Sequence, residues 1–151
     1  MPLTETPALL ILGSEVEYIT RLREEYHGKT ITIPEGKNVV FYLGRDEDCK
    51  HCFCGKEKLN PSSRPTFKAM NPLRAQRLLW VKFVLENQSA RIIKRSLENG
   101  NIVFVCNELN YVVVCSCLPR GDLKFITQYV LSGKDIQKFE DVLKYENFAF
   151  A

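Results

Sequence analysis

The chain has no run of 18 or more apolar residues, so no helix is expected to cross a membrane. Met1 to Pro7 carries no base, and the apolar run Ala8 to Leu12 is too short for a secretory signal. A cytoplasmic location is the expectation. There is no glycine-rich phosphate loop with its lysine and no His-Glu-x-x-His helix, which argues against P-loop and metalloprotease chemistry. The carboxylates lack the paired setting that glycoside cleavage uses. Histidine is scarce: only His27 and His51 could change charge near neutral pH. No repeat or low-complexity tract is present.

What is there suits one α+β domain. A chain of 151 residues is about one domain long and can bury a core without staples. The net charge of +3 hides an asymmetry. Between Arg64 and Glu98 lie eight bases, among them Lys68, Arg74, Arg77 and Lys82, opposed only by Glu86 and Glu98. Such a stripe is either a phosphate-binding face or an ordinary solvated surface.

The pattern along the chain has four parts. Residues 1–43 read as a lead-in segment, a helix and a hairpin. Ser14 caps the helix with Glu17 reaching back, and Gly28 closes it. Thr30 to Ile33 and Asn38 to Leu43 alternate around the turn Pro34 to Lys37. Residues 44–66 are polar, cysteine-bearing and without period, and read as a long loop. Residues 71–131 read as one apolar helix followed by four strands. Asn71 caps that helix, Pro72 takes its first position, and the apolar arc to Asn87 is wide enough to pack on more than one side. Arg74 and Arg77 share a flank, with Lys82 on the adjoining arc. The strands are expected at 90–96, 102–106, 111–118 and 123–130, joined by short turns and therefore an antiparallel meander. Residues 134–145 read as a last helix, burying Ile136, Phe139, Val142 and Leu143.

Cys49, Cys52 and Cys54 surround His51 in the loop. Two thiolates spaced Cys-x-x-Cys suit one tetrahedral zinc, with Cys54 as a third ligand. Buried thiols acting as small hydrophobes are the alternative, and a redox or nucleophilic cysteine is a third. Cys115 and Cys117 share one strand face and stand too far apart along it for an easy disulfide.

The order of helix and four-stranded meander, with bases on the helix, resembles the barnase–EndoU–colicin–RelE group of nuclease folds. The stretch Arg74, Ala75, Gln76, Arg77, Leu78, Leu79, Trp80, Val81 to Asn87 is similar to the helix of its phage-borne branch. Tyr111 to Cys115 resembles the central strand, and Phe125 to Tyr129 the final strand. The likeness covers roughly Asn71 to Leu131. It implies an RNase-like toxin or mobile-element hydrolase that cleaves RNA with no cofactor in catalysis. The histidine segment often found before the helix is missing, so His51 is the only stand-in. The resemblance then implies His51, Arg77, Thr127 and Tyr129 as catalytic, with Lys68, Arg74 and Lys82 contacting RNA. A structural zinc on Cys49, Cys52 and Cys54 is compatible. RNA is the implied partner, with an antitoxin or host protein besides. A non-catalytic module that docks on nucleic acid or a host protein is the competing reading. A catalytic groove would join His51 or Lys68 to Arg77 and Thr127, whereas a binding module would scatter them.

Overall fold

Ser14 opens the first helix, α1 (Glu15–Tyr26), its hydroxyl accepting from the Glu17 N–H at 3.3 Å. The Glu17 carboxylate reaches back past the cap residue and accepts from the Gly13 N–H at 3.0 Å. Gly28 follows at φ +72°, a backbone that only glycine adopts without strain. The helix buries Tyr18, Ile19, Leu22 and Tyr26, while Val16 faces out. The computed structural model describes residues 6–57, 60–64, 66–87, 92–96, 101–106 and 109–130. The helix expected at 134–145 lies outside them. Among the described residues, no helix is long and apolar enough to cross a membrane.

The fold is α+β. Strands β1 (Thr30–Thr32) and β2 (Asn38–Val40) form the expected hairpin, with Gly36 at φ +97° in its turn. The expected loop at 44–66 is largely structured instead. It holds α2 (Asp46–Phe53) and β3 (Cys54–Glu57), which pairs antiparallel with β4 (Thr66–Met70). Acids fill the first turn of α2, where the helix dipole favours them, and Asp48 closes a cap with Arg45. Its inward positions are Cys49, Cys52 and Phe53, spaced i, i+3, i+4 and fully buried. The apolar face was hidden because it is built from cysteine.

The helix expected as one piece from 71 to 87 is broken in two. Asn71 caps α3 (Pro72–Ala75), its side chain accepting from the Leu73 and Arg74 N–H groups. A tighter turn covers 76–79, and α4 (Trp80–Glu86) follows. The break has an identifiable cause. Tyr26 Oη donates to the Leu78 carbonyl at 2.5 Å and accepts from the Lys82 N–H at 3.3 Å. A phenol therefore sits where the Lys82-to-Leu78 backbone bond would be. The neighbouring carbonyls of Arg74 and Arg77 accept from Gln128 and Tyr111.

Strands β5 (Ile92–Ser96), β6 (Asn101–Cys106), β7 (Tyr111–Cys117) and β8 (Leu123–Val130) are successive antiparallel neighbours. The N-terminal hairpin joins them. β2 lies parallel to β8, giving one six-stranded sheet in the order β1-β2-β8-β7-β6-β5. That pairing covers only Val39↔Leu123 and Val40↔Lys124. Phe41 stacks on Tyr26 at 4.9 Å and meets Phe125 at 5.1 Å, tying the hairpin, α1 and β8 into one core.

Candidate functional site

One irregularity in β8 sets the site. Cys115 pairs with Phe125 but Val114 pairs with Thr127, so Ile126 is an extra residue, a β-bulge. Before it, Leu123 and Phe125 face the helices. After it, Gln128 takes the inward place and is fully buried. A regular strand would turn Thr127 inward and Gln128 outward.

Gln128 Nε2 donates to the carbonyls of Cys52 at 2.7 Å and Arg74 at 3.0 Å. Arg74 answers from α3: Nε donates to the Gln128 carbonyl at 2.9 Å, and Nη2 donates to Thr127 Oγ1 at 2.8 Å and the His51 carbonyl at 3.3 Å. Thr127 Oγ1 in turn donates to that His51 carbonyl at 2.5 Å. Because β2 has left the edge of β8 by this point, Arg74 meets the Gln128 carbonyl where a further strand would pair. These bonds clasp α2, α3 and β8. Arg74 is half-buried, makes no ion pair among the described residues, and burial pulls its guanidinium below the usual value. Gln128 Oε1 is buried without a hydrogen-bond partner among the described residues.

Beside the clasp lies a cleft of about 330 Å³ between α2 and β8. Tyr42, Arg45, Asp48, His51 and Lys124 line it. Asp48 bonds Arg45 at 3.1 Å, and that bond holds its carboxyl below the ordinary value, with Lys124 acting in the same direction. Lys124 Nζ stands 5.6 Å from the centre of the Tyr42 ring. His51 is exposed, its ring edge-on to Phe67 at 5.1 Å.

His51, Arg74 and Thr127 are thus brought together, although Arg74 and Thr127 meet the backbone of His51. Arg77 is not with them. Its Nη1 donates to the Leu73 carbonyl at 2.8 Å and its guanidinium lies 5.0 Å over the Trp80 ring. Lys68 is exposed on β4; Phe67 faces His51, so its strand neighbour Lys68 points the other way. Lys82 is exposed near Glu25, Lys29 and Glu86, beside β1. Tyr129 is half-buried on β8 opposite Val112. Lys68, Arg74, Arg77 and Lys82 are therefore dispersed by the fold.

The three thiols do not converge either. Cys49 Sγ donates to the Leu43 carbonyl at 3.6 Å, Cys52 to the Asp48 carbonyl at 3.8 Å, and Cys54 to Glu15 Oε1 at 3.5 Å. Among the described residues, no group of three His, Cys, Asp or Glu is placed to hold a metal ion. The tetrahedral zinc arrangement does not fit these positions. Burial raises all three thiol pKa values, Cys54 to about 11 with Glu15 adding to the rise. Thiols held protonated are poor nucleophiles.

Arg45, Lys124 and Tyr42 were not singled out from sequence. Tyr42 had a signal in the alternation of Val39, Phe41 and Leu43, which leaves it outside. Gln128 had none, because no residue type announces a bulge.

The site defines an α+β protein with a cation-lined cleft beside a half-buried arginine clasp. No family model, curated protein or solved structure matches the chain.

Proposed function

We propose that this chain is an RNA-cleaving domain that works without a metal ion, with the cleft between α2 and β8 as its RNA site. The observation that carries the reading is the meeting of Arg45, His51 and Lys124 around one cleft. The helical segment followed by four antiparallel strands adds support, as the outline of the nuclease group named above. The ribose 2′-oxygen attacks its own phosphorus while His51 takes the proton. The bond from phosphorus to the 5′-oxygen breaks, and solvent protonates the leaving oxygen. The products are a 2′,3′-cyclic phosphate and a 5′-hydroxyl. Lys124 and Arg45 offset the charge that grows on the phosphate oxygens. Asp48, whose bond to Arg45 lowers its pKa and so weakens it as a base, is not the proton acceptor. An antitoxin or a host protein fits this reading as a further partner.

A second reading, non-catalytic docking on nucleic acid, is favoured by one observation. Arg77 and Lys68 lie apart from the cleft, and Arg74 and Thr127 bond to backbone and to each other. Purified protein incubated with total RNA in EDTA separates the two. Cleavage with cyclic-phosphate ends, lost in His51→Ala, supports the first. Binding without cleavage supports the second, and neither binding nor cleavage removes both.

A further inference from the structure

We infer that Tyr42 is a stacking platform for one unpaired nucleobase of single-stranded RNA, with Lys124 gripping the neighbouring phosphate. This rests on the RNA reading above and names the form of RNA it takes. Val39, Phe41 and Leu43 are buried, yet Tyr42 between them is 56% exposed. A single exposed aromatic is unremarkable alone. Three further observations set this one apart.

The first is its place. Tyr42 forms a wall of the cleft that also holds Arg45, His51 and Lys124. The second is its rigidity. The Phe41 carbonyl accepts from the Gly28 N–H at 3.2 Å. The Leu43 N–H donates to His27 Nδ1 at 3.0 Å, and the Leu43 carbonyl accepts from Arg23 Nε at 2.9 Å. Both neighbours are fixed, so the ring is presented from a held backbone and little order is lost on binding. The third is its charge partner. Val40 aligns with Lys124 across the parallel pair, and Tyr42 lies two residues on, on the same side. The ammonium 5.6 Å from the ring places a cation next to a π-face.

A π-face flanked by a cation is what a base and its own phosphate require. A duplex hides its base faces in the stack, so only an unpaired base can lie on Tyr42. An acidic peptide would use the cations and ignore the ring.

The test is fluorescence anisotropy with a labelled single-stranded oligoribonucleotide, the same sequence as a duplex, and polyglutamate as competitor. The single strand should bind more tightly than the duplex, and polyglutamate should compete poorly. Tyr42→Ala and Tyr42→Leu should each weaken single-strand binding about tenfold, whereas Tyr42→Trp should retain it. Lys124→Ala should flatten the dependence on salt. Unchanged melting of these surface variants shows the fold is intact. RNA binding that is indifferent to Tyr42→Ala removes the platform and leaves the RNA cleft standing. Equal or tighter duplex binding, or polyglutamate competing as well as RNA, overturns the inference. No RNA binding by the wild-type protein removes both this inference and the reading beneath it.

Discussion

On one side of its bulge, β8 buries Leu123 and Phe125 against aromatic and aliphatic neighbours; on the other, it buries Gln128 among backbone carbonyls. The first half is held by non-directional apolar contact, which tolerates small shifts. The second half is held by hydrogen bonds from Arg74, Thr127 and Gln128, which tolerate few. The lysine of the apolar half, Lys124, faces outward and is open to a ligand. The arginine beside the polar half, Arg74, is already bonded three times. An arginine in a basic stripe can thus be a structural clasp, while a lysine outside the stripe lines the cleft.

The comparison can be broken by substitution. Phe125→Ala should cost most, about 3–5 kcal/mol, because it opens a cavity beside Phe41. Urea unfolding measures it, and a loss under about 1 kcal/mol contradicts the assigned packing. Arg74→Ala should cost about 2–3 kcal/mol by taking the guanidinium from the Gln128 carbonyl and from Thr127 Oγ1, and leaving the His51 carbonyl to Thr127 alone. Arg74→Lys should recover only part of this, since an ammonium lacks the guanidinium fork. Full recovery by lysine would show that charge, not geometry, makes the clasp.

Gln128→Leu should cost about 1–2 kcal/mol: it takes a donor from the Cys52 and Arg74 carbonyls, the second of which keeps the Arg77 N–H, but removes the buried Oε1. A more stable variant would mean the amide is not held as described. Lys124→Ala should leave stability within about 0.5 kcal/mol and weaken RNA binding most at low salt. An equal loss at all salt concentrations contradicts its role as a phosphate cation.

The smallest effect concerns pH. Bonding to Arg45 lowers the Asp48 pKa below the ordinary 3.8. The pair's contribution is present above that value and is lost as pH falls through the lower folded-state value. The partner of Asp48, Arg45, is exposed enough for solvent to screen most of it. Asp48→Asn should therefore show slightly less acid destabilisation than wild type in urea melts. A steeper acid loss in that variant reverses the sign and removes the argument.

Some of the site was legible in advance and some was not. His51, Arg74 and Thr127 are legible candidates and do meet, whereas Arg77 does not join them. Position on a helix gives only the direction in which a side chain leaves the backbone, and the Arg77 guanidinium folds back on the Leu73 carbonyl and the Trp80 ring. The cysteine segment reads as a loop because its polar composition masks a short helix, and even buried thiols do not by themselves announce the apolar face of α2. Lys124 went unremarked because its importance depends on β2, which lies far away in the chain and reaches it through a parallel pairing with no local signature.

The residues alone determined what depends on near neighbours: the capped start of α1, the turn glycines, the Asn71 cap, and four strands separated by short turns. Those features arise from dihedral preference and from alternation within a few positions. Tertiary structure alone decided the broken helix, the bulge in β8, the union of hairpin and meander, and the cleft. Each depends on a side chain or strand distant in sequence taking a backbone group that local structure would otherwise have used.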